Sequence, residues 1–468
     1  MKRDIITVDD ISNSEMQGLF ALADEFLLSM HAPGSDYLLR GRGSLANKHL
    51  IATLFYEPST RTRFSFETAM IRLGGHVISS ADPYTTSASK GETLADTVRV
   101  LENYADLIVL RHPCEGAAQL AAEFTQVPVI NAGDGSHEHP TQTLCDLYTL
   151  GKEKTNLNGL SVLICGDLKY GRTTHSLVYA LVRFGAHIGL ASAPGLELPA
   201  HVQSRLEKDY GCVPLKDSAI EDLFGDAPVE VVYVTPNKPN QLALMPFGGD
   251  EEWIKRVLAK MDSRVDVCYV TRLQLERLPS NGRKREGAYP VIDRQFLHGK
   301  RYKETKVLHP LPRVDELAYD IDKDPRAAYF KQVAYGVPVR MALVASVLGL
   351  RPVLVQKPPE KNYPTYSRRG SLVCSNPKCI TNHDPDKKVV SPKFFIIASA
   401  PPVLRCCYCE NEQEIHCAAK ASQRTYFVDF ADKSLLSSIE PKDLIIFQSE
   451  QEARQHGYHP RHKNVGVS

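Results

Sequence analysis

The segment Ser59-Thr60-Arg61-Thr62-Arg63 sets three hydroxyls and two guanidiniums side by side. Hydroxyl donors beside planar, permanently charged forks suit the oxygens of a phosphate. The run His49–Tyr56 before it is almost continuously apolar, as a strand covered on both faces would be. After it, Phe66, Ala69, Met70 and Leu73 fall at helical spacing, and Gly74-Gly75 supplies a stop. The hydroxyls and arginines are therefore predicted at a helix N-terminus, where free N–H groups and the helix dipole favour an anion. Alone, the same residues also read as an N-cap followed by solvated arginines.

Four further segments place polar or basic residues at a strand end or helix start. Lys90-Gly91-Glu92-Thr93, with Ser87 just before, precedes an apolar helical pattern; a solvated loop lysine is the plain alternative. Arg111-His112-Pro113 ends the run Leu107–Leu110, where an arginine faces either a site or solvent. The Gly-rich stretch from Asn131 ends in His139-Pro140-Thr141-Gln142. Pro140 suits a first helical turn, which puts His139 at the cap, a place that disfavours its protonation. A neutral imidazole there can donate to a carbonyl, or simply cap the helix. In Leu308-His309-Pro310-Leu311-Pro312-Arg313 the backbone carbonyls cannot all join a sheet, so they are open to a ligand amine.

Six of the 11 cysteines lie between Cys374 and Cys417. Cys374 and Cys379 form one chelating pair, and Cys406 and Cys409 a second. Four thiolates brought to one tetrahedral Zn2+ is the expected use of such pairs, leaving Cys407 and Cys417 spare and His383 and His416 as possible substitutes.

These residues need scaffolds. The 468-residue chain is long enough for two to four domains. Residues 1–150 and 151–350 both alternate strand-like and helical patterns, which predicts two α/β units with parallel sheets. In the second, Ser161–Asp167 reads as a strand, and Leu177, Ala180, Leu181 and Phe184 as one helix face closed by Gly185. Tyr170 and Arg172 lie in the loop between them, outside a strand's carboxyl end, where ligands of open sheets bind. Val232-Tyr233-Val234-Thr235 is echoed by Cys268-Tyr269-Val270-Thr271, with an insertion between. Residues 352–373 read as a Pro-rich linker, and the polar stretch from Gln455 as frayed. The net charge of +1 argues against a nucleic-acid surface. No long apolar run suggests a membrane span, and no signal-peptide core follows Met1, so a cytoplasmic protein is expected.

Taken together, Ser59–Glu67, His139–Gln142, Asp167–Thr173 and His309–Glu316 resemble the signatures of the aspartate carbamoyltransferase catalytic chain, over about residues 5–352. Ornithine carbamoyltransferases share the first two motifs. They carry a cysteine where this chain has Pro310, and tend to carry lysine where it has Glu57.

The resemblance implies the carbamoyltransferase fold: a carbamoyl phosphate-binding domain at 1–150 and an aspartate-binding domain at 151–351, whose last helix packs back on the first. It assigns the phosphate to Ser59, Thr60, Arg61 and Thr62. It assigns the carbamoyl group to Thr62, Arg111, His139 and Gln142, and to the carbonyls of Pro310 and Leu311. Ser87 and Lys90 would come from a neighbouring subunit of a homotrimer or larger homo-oligomer. Arg172, Arg272 and Gln274, with Lys90, would hold aspartate. Arg61, Thr62, Lys90, Arg111 and His139 would carry catalysis, without a cofactor.

The stretches Cys374–Asn382 and Leu404–Glu410 resemble the zinc domain of the regulatory chain of the same enzyme. A small, β-rich zinc-binding domain at 374–468 is therefore expected, fused after the linker without the usual nucleotide-binding module. A carbamoyltransferase for another amino acid, or an inactive scaffold using its zinc domain for subunit contacts, are the competing readings.

Overall fold

The computed structural model describes residues 2–31, 45–81, 86–154, 156–169, 171–192, 195–216, 230–235, 264–272, 291–314, 316–355, 363–367, 372–383, 385–399, 402–420, 422–427 and 443–460. The insertion at 236–262 and Gln274 lie outside them.

After helix α1 (Asn13–His31), the first unit alternates strands and helices. They are β1 (Leu50–Phe55), α2 (Thr60–Arg72), β2 (His76–Ser80), α3 (Leu94–Leu101), β3 (Leu107–His112), α4 (Ala117–Phe124), β4 (Val129–Asp134) and α5 (Pro140–Lys154). The strands form one parallel sheet in the order β2-β1-β3-β4. Every residue of β3 and β4 is buried, and in β3 Leu107–Leu110 accordingly reads as a continuous rather than an alternating apolar run.

The second unit contains β5 (Ser161–Gly166), α6 (Arg172–Arg183), β6 (His187–Ser192), α7 (Ala200–Tyr210), β7 (Leu215–Lys216), β8 (Val231–Val234), β9 (Val267–Val270) and β10 (Lys306–Leu308). Its parallel sheet runs β10-β9-β8-β5-β6-β7. The sequence echo has a structural meaning here. Strands β8 and β9 are neighbours in register, with Tyr233 opposite Tyr269. Their rings stack 4.5 Å apart at 14°. Helix α8 (Tyr329–Val347) follows the second sheet but packs on α1, α2 and α5. Apolar residues of both units, among them Phe66, Leu107, Val162 and Leu181, join in one core.

The C-terminal region opens with β11 (Thr365–Tyr366), β12 (Phe394–Ser399), β13 (Pro402–Cys406) and β14 (Glu412–Glu414) in an antiparallel sheet. This sheet starts at Thr365, inside the stretch read as linker, because Thr365 and Tyr366 pair with Phe395 and Phe394. A second small sheet follows, with β15 (Cys417–Lys420), β16 (Thr425–Phe427), β17 (Leu444–Phe447) and β18 (His459–Pro460), beside α9 (Glu450–Gln455). The stretch after Gln455 therefore does not fray at once: Thr425 and Tyr426 pair with His459 and Pro460.

The C-terminal region rests on the first unit of its own chain. Ile108, Leu110, Val98 and Ala121 share a core with Ile380, Phe394, Leu404 and Tyr408. Glu115 bridges Cys379 in parallel. Gly116 has φ 82°, and a Cβ there would come within 2.6 Å of the Tyr408 backbone and Cβ, so the two segments meet closely where only glycine fits. Among the described residues, no helix is long and apolar enough to cross a membrane.

Candidate functional site

Ser59 caps α2 in a non-helical conformation, and its hydroxyl makes no cap hydrogen bond. That oxygen is not committed to the helix. Thr60 opens the helix and Thr62 is buried in its first turn. The two arginines part ways. Arg63 turns back to Glu67 at 3.6 Å and lies over the Phe64 ring. Glu67 also accepts from Thr53 and Ser79, so Arg63 joins a structural cluster. Arg61 is different. Partial burial, and then repulsion from Arg272, pull its guanidinium below the ordinary value. Arg272 lies just past the end of β9, so the two cations come from different units.

Arg111 is the penultimate residue of β3 and is 8% exposed. It donates to Glu57 Oε1 at 3.1 Å and to the Ala132 carbonyl at 3.3 Å. Glu57 thus holds the fork in a fixed plane.

His139 lies directly before Pro140, the first residue of α5, and is 3% exposed. Its backbone N–H donates to Ser176 Oγ at 2.9 Å. The Gln142 N–H points at His139 Nδ1 at 3.3 Å. A ring nitrogen that accepts carries no proton, so the neutral ring holds its proton on Nε2. This is the donor that a carbonyl would need.

Gln142 is tied into a buried network. Its Nε2 donates to Asp146 Oδ1 at 2.8 Å. The same oxygen accepts from Tyr269 at 3.0 Å and from Gln332 at 3.0 Å. Gln332 in turn accepts from the His309 N–H at 2.9 Å. The chain of bonds therefore links α5, β9 and the loop after β10. Burial raises the Asp146 carboxyl to about 7, although these three bonds oppose it.

His309 is fully buried, and burial lowers its pKa while Glu316 works against that. Its Nδ1 accepts from the Leu311 N–H at 2.8 Å, and its Nε2 donates to Glu316 at 2.8 Å. The Pro310-Leu311 backbone is so held, with Leu311 at φ 54° and a cis bond to Pro312. Arg313 is occupied with Asp322 at 2.7 Å and lies over Tyr319, so it closes the loop.

Ser87 and Lys90 sit exposed on a short turn, Ser87–Lys90, ahead of α3. Arg172 opens α6, but its side chain, like Tyr170 and Gln274, falls outside what is described.

Sequence reasoning missed the residues that brace these. Arg205, 1% exposed, reaches Glu138 at 3.2 Å and also contacts Glu410 and Asp9. His137 binds Asp134 at 3.0 Å and faces Glu410 at 3.6 Å. Burial works against a charged His137, but Asp134 and Glu410 together outweigh it and raise its pKa well above the ordinary value. One signal was available: Asp146 is a carboxylate flanked by Leu144, Cys145 and Leu147, and such a group needs buried partners.

In the C-terminal region, Cys374, Cys379, Cys406 and Cys409 are buried with their sulfurs within 4.8 Å of one another. Cys374 and Cys409 are 3.6 Å apart, and Cys379 and Cys406 3.9 Å. These spacings are too long for disulfides and right for a shared ion. His383 binds Asp386 at 3.1 Å and His416 is exposed, so neither substitutes as a ligand in this cluster.

Comparison with known proteins agrees along the chain. Residues 3–152 match the carbamoyl-phosphate-binding domain of aspartate/ornithine carbamoyltransferases, and residues 243–347 their aspartate/ornithine-binding domain. Residues 369–417 match the metal-binding domain of the aspartate carbamoyltransferase regulatory chain. The catalytic subunit of aspartate carbamoyltransferase from Thermoplasma volcanium is 42% identical over 351 residues, 74% of this chain and 98% of the relative. That from Methanocaldococcus jannaschii is 43% identical over 347 residues, 74% of this chain and 97% of the relative. The solved catalytic subunit of M. jannaschii aspartate transcarbamoylase superposes with a TM-score of 0.56 at 41% identity, covering 74% of this chain and 98% of that one. Aspartate transcarbamoylase from Trypanosoma cruzi, solved with carbamoyl phosphate and aspartate, gives 0.55 at 32% identity, covering 74% and 96%. With relatives matched almost end to end and the family's motifs set at the strand ends described above, the chain belongs to the aspartate carbamoyltransferase catalytic-subunit family, and it continues into a metal-binding domain of the regulatory-chain kind.

Proposed function

We propose that the chain transfers the carbamoyl group of carbamoyl phosphate to the amine of L-aspartate, giving N-carbamoyl-L-aspartate and phosphate. The observation that carries this reading is the approach of Arg61 to Arg272. Two cations that repel one another are relieved by an anion between them, and both substrates are anions. Ser59, Thr60, Arg61 and Thr62 take the phosphate, aided by the helix start. Arg111, with Thr62, His139 Nε2–H and Gln142, polarises the carbamoyl oxygen. Arg272, Arg172 and Gln274 take the aspartate carboxylates. The carbonyls of Pro310 and Leu311 receive the amine and the carbamoyl NH2. Ser87 and Lys90 serve the site of a neighbouring subunit in a homotrimer or larger homo-oligomer.

The amine attacks the carbamoyl carbon. A C–N bond forms, the C–O bond to phosphate breaks, and the amine proton passes to the departing phosphate. No nucleophilic side chain is required. Preorganised donors stabilise the oxyanion, and alignment of the two substrates supplies much of the remainder.

The tetrathiolate site suits structural Zn2+. A metal–sulfur bond of about 2.3 Å gives a tetrahedral edge of about 3.8 Å. The observed 3.6 and 3.9 Å fit it. Bound zinc would hold the two cysteine loops together and take no part in the transfer. The division into units at 1–150, 151–351 and a C-terminal metal domain follows the same reading.

The direct test supplies carbamoyl phosphate with a panel of amino acids and measures phosphate release. Aspartate should be the preferred acceptor by at least about 100-fold, since a site with an arginine pair for carboxylates discriminates strongly. Faster release with ornithine or another amine would refute the assignment.

A further inference from the structure

The first N–H of α3 is held from the other end of the chain. Leu94 donates to Asp386 Oδ1 at 2.7 Å, in a buried contact between residues 292 apart. Asp386 is 2% exposed, and its other oxygen faces His383 Nδ1 at 3.1 Å. It sits in the turn Asp386–Lys388, which is bonded to the preceding turn by Lys387 N–H to the His383 carbonyl at 2.8 Å. That preceding turn, Ile380–Asn382, starts directly after the metal-site residue Cys379.

On the other side, Leu94 is only four residues past Lys90. The connection has little slack. Gly91 N–H closes on the Ala88 carbonyl at 3.0 Å, and Glu92 N–H on the Ser87 carbonyl at 3.3 Å. Glu92 then accepts from Thr97 in α3 at 3.0 Å. The turn carrying Ser87 and Lys90 is thus bonded rigidly to the start of α3.

The contact is more than a cap. Thr93 already caps α3 by accepting from the Asp96 N–H at 3.1 Å. Asp386 takes a different donor, which apolar packing between the domains does not require. A buried carboxylate persists where its bonds repay its desolvation.

We propose that Asp386 is a positioning residue. It fixes the start of α3, and through it the turn Ser87–Lys90, so that the folded state of the metal domain sets the aim of Lys90. This rests on the reading that Lys90 serves an active site. The acceptor for the Leu94 N–H comes from the metal domain, so this hydrogen bond ties that domain to the start of α3 and the turn before it.

The test uses the full-length, metal-loaded chain. Asp386→Ala should lower kcat/KM for aspartate about tenfold, the size expected for losing a charged bond at a helix start. Metal content and assembly should not change. Asp386→Asn keeps an acceptor and should lose threefold at most. In a Lys90→Ala background, Asp386→Ala should cost less than a further twofold, because both act through one turn. Wild-type kcat/KM in Asp386→Ala overturns the proposal, and so does a full tenfold further loss in the Lys90→Ala background. If Asp386→Ala does not fold, the same cycle is run with Asp386→Asn, and an additive result again overturns it. Failure of the site reading looks different: Lys90→Ala would itself be fully active.

Discussion

Arg61 and Arg272 repel each other across the junction of the two α/β units, one from the start of α2 and the other from the end of β9. A like-charge pair of this kind weakens the empty protein and strengthens the filled one. Inorganic phosphate should therefore raise the Tm, saturably and less at high salt. The gain at 100 times its Kd is about 2.7 kcal/mol for one site. Arg61→Ala should abolish most of it while folding normally. Its kcat/KM should fall by about three orders of magnitude, as for loss of a charge-assisted donor to a transferring group. Near wild-type turnover in this variant would remove Arg61 from the site.

Arg272 should act on the acceptor substrate. Arg272→Ala is expected to raise the KM for aspartate by at least about 30-fold, the worth of a bidentate charged contact. The KM for carbamoyl phosphate should change by no more than about threefold, since uniform binding energy is lost on one substrate only. Steady-state kinetics with each substrate varied in turn decides it. Equal weakening of both would place Arg272 on the phosphate.

Shared sites predict complementation. Lys90→Ala and Arg61→Ala chains, each with only residual activity, are mixed, dissociated and reassembled. Hybrids then contain some sites with an intact Lys90 from one chain and an intact Arg61 from the other. One site in three is intact in each hybrid trimer, so recovery of about a quarter of wild-type activity is expected on statistical mixing of equal amounts. No recovery in verified hybrids would mean that each chain completes its own site.

Asp146 gives the protein a pH dependence of stability. Its folded carboxyl stands at about 7, raised by burial from 3.8. A raised acid holds its proton when folded and releases it when unfolded. Its contribution is thus fully present below about pH 4 and is lost as the pH rises to about 7. Asp146→Asn removes this titration. Between pH 5 and 8 the wild-type Tm should fall more steeply than that of the variant, by about 3 °C. Parallel pH profiles would show that Asp146 titrates normally.

Metal removal should unfold the C-terminal domain, because its four thiolates converge from two loops of a small region. Cys379→Ser should lose the ion and expose the apolar face around Ile108, Ala121 and Val98. Dye binding to exposed apolar surface and metal analysis check it. The catalytic units should stay folded, with Tm transitions of their own. A metal-free protein with an intact C-terminal domain would contradict the assignment.

The sequence by itself determined the parts whose chemistry is local. A hydroxyl-arginine run between a buried strand and an amphipathic helix meets the free N–H groups at the helix start, whatever packs elsewhere. Pro140 sets the first turn of α5 and so places His139. The spacing of Cys374 with Cys379, and of Cys406 with Cys409, already makes chelating loops. The tertiary structure decided everything that depends on partners far along the chain. Arg61 and Arg63 are one residue type two positions apart, yet only Arg63 finds Glu67, because β1, β2 and α2 bring Thr53, Ser79 and Glu67 together. Asp146 gains its raised pKa from burial that no local pattern reports, against the hydrogen bonds of Tyr269 and Gln332, residues of other elements. Leu94 meets Asp386, and Arg205 meets Glu410, only because the apolar faces of α3, α4 and the C-terminal sheet close on one another. Hydrophobic patterning tells each face that it must be covered, and the geometry of the assembled sheets chooses by what.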